Sequence, residues 1–303
     1  MTILRNIAGL GTTLIDWQMT VAEFPQPDTK HLALSSRMQV GGPVPTALAL
    51  LRRFGHRCSL VSLWGDDLQG EMIERDLQNE SISFDPRCRR QDGRTGTAHV
   101  WLNEQTGERT IVGHHFELHE NDLAWASSYA ADANLMHVDG WGGTASVAAA
   151  RAVRENGGVV SLDTGSPKPV TSELLELATI VNAPARFLKL YFDDEDVSRG
   201  GKRLLDLGAE LVTVTDGTRG AWLFSERGEW HQPAFEIDAV DTTGAGDVFT
   251  GALIHAWLQD WSPEQILRFA SACAALKCER YGNRDALPDL SRVEQSLIER
   301  FIE

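Results

Sequence analysis

From Ala133 onward short apolar runs alternate with helical stretches, and no other feature constrains the fold as strongly. Residues 135–138, 159–163, 179–181 and 211–214 read as strands, while 146–155, 172–177 and 202–207 space their apolar residues as helices do. Repetition of this kind implies βαβ units and a mainly parallel sheet. Earlier in the chain, 3–10 and 58–64 read as buried strands, and 43–54 and 69–79 as helices. The C-terminal third is mostly helical, over 248–258, 263–280 and 291–301. Two hairpin signals interrupt the pattern, one over 97–112 with its turn at Gln105–Glu108, the other over 221–232. The expected architecture is one α/β domain over residues 1–303, with a small β flap from about 17–40 and 94–115.

The segment Asp241-Thr242-Thr243-Gly244-Ala245-Gly246-Asp247 carries the chemistry. An apolar run, 235–240, precedes it and a helical pattern follows, so it reads as strand, tight turn and helix start. Backbone N–H groups turned inward at Gly244, Ala245 and Gly246, with the helix dipole behind them, attract an anion. A carboxylate at Asp247 would repel a phosphate that was only bound there. It suits a site where a hydroxyl loses its proton and attacks a phosphoryl group. A capping aspartate at a glycine turn leaves a similar trace, but the longer string and its setting favour the reaction.

The formal charge of −15 argues against nucleic acid or an anionic membrane as partner. Four cysteines without a CxxC pair suit buried thiols in a reducing cytoplasm. No apolar run approaches membrane-spanning length, and a cytoplasmic protein is expected.

Other segments fit a ligand site less specifically. Asp16 falls just past the first strand, where a carboxylate could accept hydroxyl hydrogen bonds; a turn aspartate explains it as well. Gly41 and Gly42 open the first helix and permit a ligand against backbone amides, as would an ordinary loop–helix junction. Thr213–Gly220 could hold nucleotide phosphates or be a surface turn. No GxxxxGK[ST] and no HExxH occur.

Together these pieces resemble the ribokinase-like (PfkB) carbohydrate kinase family over nearly the whole chain. The glycine pair at 41–42 with Gly55, Gly65, Asp66 and Gly70 resembles its N-terminal signature, and Asp241–Asp247 matches its C-terminal one. Residues 231–235 through 274–278 look like kinases of sulfofructose type; 107–111 and 137–139 look more loosely like ketohexokinases. The resemblance implies a Rossmann-like, mainly parallel sheet flanked by helices with a β-sheet lid. It also implies ATP, Mg²⁺ and phosphorylation of a sugar hydroxyl, a ketose-like acceptor being favoured. Carried over, Asp247 is the base and Gly244–Gly246 the anion hole. Asp16, Gly41, Gly42, Asp139 and the residue at Thr46 face the sugar. Asn182, Thr215, Gly217 and Gly220 lie along the nucleotide, and Asp241 and Thr243 take places that bind a monovalent cation such as K⁺ in some members. A homodimer through the lid is expected.

The chain departs from the family in three places. Thr46 stands where asparagine is usual. Asn182-Ala183-Pro184-Ala185 lacks the glutamate of the Asn-x-x-Glu motif, which bears on Mg²⁺ placement. Lys30 matches a sulfonate-binding lysine, but Gly113 and Gly140 stand where its asparagine and arginine partners would be. Two alternatives are a nucleoside kinase, with Trp17, Trp101 and Phe116 sandwiching a base, and a sugar- or nucleotide-sensing protein without turnover.

Overall fold

Strands buried on both faces read as continuous apolar runs, because each face meets a layer of helices. A computed structural model, describing residues 3–119 and 121–300, shows this arrangement. The first strand, β1 (Asn6–Leu10), is followed after three residues by β2 (Leu14–Val21) and then β3 (Ser35–Gly41). Next come α1 (Pro43–Arg53), β4 (Arg57–Val61), β5 (Trp64–Gly65), α2 (Leu68–Asn79), β6 (Ser83–Phe84) and β7 (Arg89–Arg90). A hairpin, β8 (Gly96–Asn103) and β9 (Arg109–His114), precedes α3 (Ala126–Ala130). The alternating half runs β10 (Leu135–Val138), α4 (Thr144–Glu155), β11 (Val159–Asp163), α5 (Thr171–Leu177), β12 (Ile180–Pro184), α6 (Ala185–Phe192), α7 (Val197–Leu205) and β13 (Leu211–Thr215). The chain closes with β14 (Ala221–Ser225), β15 (Gly228–Gln232), α8 (Ala245–Leu258), α9 (Pro263–Cys278) and α10 (Leu290–Glu299).

The main sheet has nine strands in the order β15-β14-β13-β12-β11-β10-β1-β4-β6, and only β14 and β15 run antiparallel to their neighbours. Successive side chains go to opposite layers. Ile7, Leu135 and Ile180 pack with Leu48, Phe249 and Phe269 beneath α1, α8 and α9, while Leu10, Met136 and Val181 pack with Val153, Leu174 and Phe187 beneath α4, α5 and α6. From β1 the chain first builds outward to β4 and β6, then crosses to β10 on the other side. Strand order therefore reverses between β1 and β10, and ligands bind such sheets outside the carboxyl ends at that point.

A second sheet, β3-β2-β8-β9, stands over that edge as the lid. Its faces differ. Asp16 pairs in register with Gln39 and Ala98 on the inner face, whereas Trp17 pairs with Met38 and His99, and His99 with Val112, on the outer face. Trp17, Met38 and Val112 are exposed. Trp101, paired with Met19, belongs to the outer face as well.

Two expected elements differ. The run at 235–240 is not a strand: it leaves the sheet edge after Pro233, and the Val240 N–H donates to the Cys278 carbonyl at 2.9 Å, at the end of α9, rather than to a neighbouring strand. The last helix ends at Glu299, and Phe301 lies outside the described residues. Among the described residues no helix is long and apolar enough to cross a membrane.

Candidate active site

Four aspartates converge on the carboxyl edge from different elements. Asp16 comes from β2, Asp139 follows β10, Asp163 ends β11, and Asp247 lies in the first turn of α8. Each has its carboxyl pushed above the ordinary range, burial being the largest cause. Asp16 rises to about 6, against the Asn283 amide and the Arg284 guanidinium, which pull it down. Asp139 rises to about 7 although the Trp141 and Thr12 N–H groups and Lys168 oppose the shift. Asp163 is raised in spite of the Thr250 hydroxyl and the Gly165 N–H. Asp247 rises to about 7 through burial and the Asp163 carboxylate, with Asp16 and Asp139 adding and Arg109 subtracting. A carboxyl near 7 can take up a proton at working pH, as a general base must.

α8 is entered from Gly244, which sits at φ +77° and carries no capping side chain. The Ala245 N–H turns back to the Thr242 carbonyl at 3.3 Å. The next N–H groups, of Gly246 and Asp247, lie in the first turn, where a helix offers them no acceptor. Of the expected trio 244–246, then, Gly244 shapes the turn and Gly246 presents the donor. A Cβ on Gly246 would meet no atom within 4 Å, so this glycine is needed for neither backbone strain nor packing.

Two of the carboxylates expected to face the sugar, Asp16 and Asp139, lie flush against main chain. A Cβ at Gly41 would sit 2.3 Å from Asp16 Oδ2, and one at Gly11 would sit 2.4 Å from Asp139 Oδ2. Gly42, at φ +111°, opens α1 beside them. Asp139 accepts the Thr12 N–H at 3.0 Å and the Trp141 N–H at 2.9 Å, which bridges β1 and β10 across the point where strand order reverses. Thr46 is buried and its hydroxyl accepts from Arg284 Nη1 at 3.2 Å. A cleft of about 230 Å³ opens beside Gly11 and Thr12, walled by Phe116, Leu118 and a His115–Trp141 stack at 3.9 Å.

Of the residues expected along a nucleotide, Thr215 ends β13 and Gly217 and Gly220 follow it at the same edge. Asn182 is turned inward instead. Its Nδ2 donates to Thr250 Oγ1 at 2.9 Å and its Oδ1 accepts from Thr213 Oγ1 at 2.8 Å, so both ends of the amide tie β12, β13 and α8 together. Thr250 Oγ1 in turn lies 3.0 Å from Asp163 Oδ2, and Asn182 supports that carboxylate through it. Asp241 is fully buried and accepts the Thr243 N–H at 2.9 Å. Lys30 is exposed in the segment between β2 and β3.

Several site residues are invisible in sequence spacing. Asn283, after α9, donates from Nδ2 to Asp16 Oδ2, and its Oδ1 is buried without a partner. Arg109, at the lid hairpin, donates to Thr242 Oγ1 at 2.9 Å and so reaches the loop before α8. Asp163 had a usable signal: it closes an apolar run, as Asp139 does after His137-Val138. The base sandwich does not form from Trp17 and Trp101, because both project from the outer face of the lid.

Known proteins share this organisation. A family profile described as pfkB family carbohydrate kinase matches residues 4–290. The chain is 29% identical over 299 residues to an ATP-dependent ribose-1-phosphate kinase of Halopiger xanaduensis, covering 95% of this chain and 97% of that protein. It is also 29% identical over 326 residues to fructokinase-2 of Oryza sativa, covering 97% and 94%. Among solved structures, ribokinase of Thermotoga maritima superposes with a TM-score of 0.82 at 22% identity, covering 98% of this chain and 100% of that one. Ribokinase of Arabidopsis thaliana complexed with ribose and ATP gives 0.79 at 23%, covering 97% and 99%.

Proposed function

The chain belongs to the pfkB family of carbohydrate kinases and is a sugar kinase, and on that premise we propose that Asp247 deprotonates an acceptor hydroxyl that attacks the γ-phosphorus of ATP. The acceptor oxygen–phosphorus bond forms as the bond to the departing ADP oxygen breaks, and the hydroxyl proton passes to the Asp247 carboxylate. The Gly246 and Asp247 N–H groups meet the charge on the transferred group, with the α8 dipole aligned behind them. Asp16 and Asp139 accept hydrogen bonds from the other acceptor hydroxyls. Thr215, Gly217 and Gly220 flank the nucleotide. The observation that carries this reading is the placement of a carboxyl in the uncapped first turn of α8, where burial and the Asp163 carboxylate favour its taking up a proton.

Among the described residues no three His, Cys, Asp or Glu side chains are grouped to hold a metal ion. Mg²⁺ would accordingly enter on the nucleotide phosphates, where it supplies charge neutralisation. Asp163, supported by Thr250, is the carboxylate suited to its water shell in a chain with Ala185 in place of the glutamate.

A ketose-like acceptor is favoured by the likenesses at 107–111 and 137–139, and the relatives named for ribose 1-phosphate and fructose set the alternatives to test. Incubation with ATP, Mg²⁺ and separate samples of fructose, ribose, ribose 1-phosphate and nucleosides, with ADP release as readout, is the decisive measurement. A strong response to one sugar supports the reading; ADP release no higher than without acceptor rejects it. The exposed outer lid face, with Trp17, Met38 and Val112, supports a homodimer formed by two lids.

A further inference from the structure

Lys277 lies in the last turn of α9 and is 0% exposed. Its Nζ donates to the Asp241 main-chain oxygen at 2.7 Å and lies 3.6 Å from Asp241 Oδ2. The same carboxylate accepts the N–H groups of Thr243, at 2.9 Å, and Gly282, at 3.1 Å. The Cys278 carbonyl accepts from Val240 and Asp241 N–H at 2.9 and 3.2 Å. One ammonium thus closes a knot between the loop that enters α8 and the segment that leaves α9.

A buried carboxylate is costly without a cation or donors around it. Burial pushes the Asp241 carboxyl up, but Lys277 and the two N–H groups outweigh it and hold the carboxyl below its ordinary range. In some members of the family the places of Asp241 and Thr243 help bind a monovalent metal ion. The residues of this chain do not fit one. Two of the Asp241 oxygens, the main-chain oxygen and Oδ2, already face the Lys277 ammonium, whose charge would repel a metal ion placed beside it.

We propose that the Lys277 ammonium replaces the monovalent cation: it fixes the Asp241–Thr243 loop, and through it the start of α8, so that turnover needs no K⁺. Lys277 acts as a positioning residue, since its reach to the reacting atoms runs through Asp241, Thr242 and the Thr242 carbonyl that holds the Ala245 N–H. The inference rests on the reading of Gly244–Asp247 as the phosphoryl site.

The test compares the purified protein in tetramethylammonium, Na⁺ and K⁺ salts at equal ionic strength. Turnover and melting temperature are expected to be the same in all three. A rise in either that is specific to K⁺ overturns the proposal. Lys277→Ala, which vacates the space, is expected to lose about tenfold or more in kcat in the tetramethylammonium salt, the loss of a charged hydrogen bond. K⁺ or ammonium should restore much of it, with both KM values little changed. A folded Lys277→Ala protein that no small cation restores overturns the proposal, because a merely structural lysine behaves so. If that variant does not fold, the wild-type melting curves decide. They need no acceptor, so a protein inactive on every sugar would reject the kinase mechanism and leave this comparison standing.

Discussion

Asn283 Nδ2 donates to Asp16 Oδ2 at 2.8 Å, joining residues 267 positions apart in the chain. The same Nδ2 reaches the Val40 carbonyl at 3.0 Å, and the Asn283 N–H reaches Gln39 Oε1 at 2.9 Å. The segment after α9 therefore holds the base of the lid and aims its carboxylate. Asp16→Ala should raise the acceptor KM far more than the ATP KM, and Asn283→Ala should do the same to a smaller degree. Initial rates with each substrate varied in turn check this. Equal effects on both KM values would mean a folding role.

Asp247→Asn keeps the shape and removes the base. Turnover should fall roughly 10²–10⁴-fold with ATP affinity little changed. In the wild type, kcat/KM should rise with pH through about 7, because the ionised carboxylate is the active form and burial and Asp163 hold its proton up to that pH. A profile flat from pH 5 to 9 would count against this assignment.

The same carboxyl has a thermodynamic signature. Its folded pKa lies above the unfolded value, so the fold prefers the protonated form. The preference favours the folded state fully below the ordinary carboxylate range and is lost as pH rises from about 4 to about 7. Asp247→Asn should thus be more stable than wild type at pH 8, by roughly 1–3 kcal/mol, and the gap should shrink toward pH 4. Denaturant titrations at the two pH values give the answer.

Gly246 and Gly244 should separate in their effects. A side chain at Gly246 projects into open space where the transferred group would lie. Gly246→Val should melt like wild type and turn over poorly, because the side chain fills the phosphoryl site. Gly244 has a positive φ of 77°, and Gly244→Val should lower the melting temperature as well. Normal turnover by Gly246→Val would move the anion site elsewhere.

For the lid, Trp101→Asp should weaken self-association and leave the acceptor KM alone, since Trp101 and Asp16 lie on opposite faces of the sheet. Light scattering and initial rates test the two halves separately. A wild-type monomer at working concentration would defeat the dimer.

The parallel sheet was legible because βα alternation leaves a local trace in every unit, from Leu135–Val138 onward. The Gly244–Asp247 turn was legible because turn and helix start are contiguous. Residues 235–240 misled, since an apolar run can serve a strand or an extended segment over a helix end, and only the partner at Cys278 distinguishes them. Two faces of one lid strand could not be assigned without register, so a base sandwich from Trp17 and Trp101 was left open as an alternative. Asn283, Arg109 and Lys277 owe their positions to contacts more than 35 residues away in sequence, and no local pattern encodes such a meeting.

The closeness of Asp16 to Gly41, and of Asp139 to Gly11, bears on how this enzyme's preferences could be redesigned. Both carboxylates are seated against peptide backbone, with no room to lengthen either side chain or to decorate the glycine beneath it. On the roles proposed for Asp16 and Asp139, substitution there would remove sugar binding rather than redirect it. A library aimed at new acceptors should leave those four positions fixed and diversify Thr46, Arg284 and the His115–Trp141 wall. In those places side chains meet other side chains: Thr46 meets Arg284, and His115 stacks on Trp141.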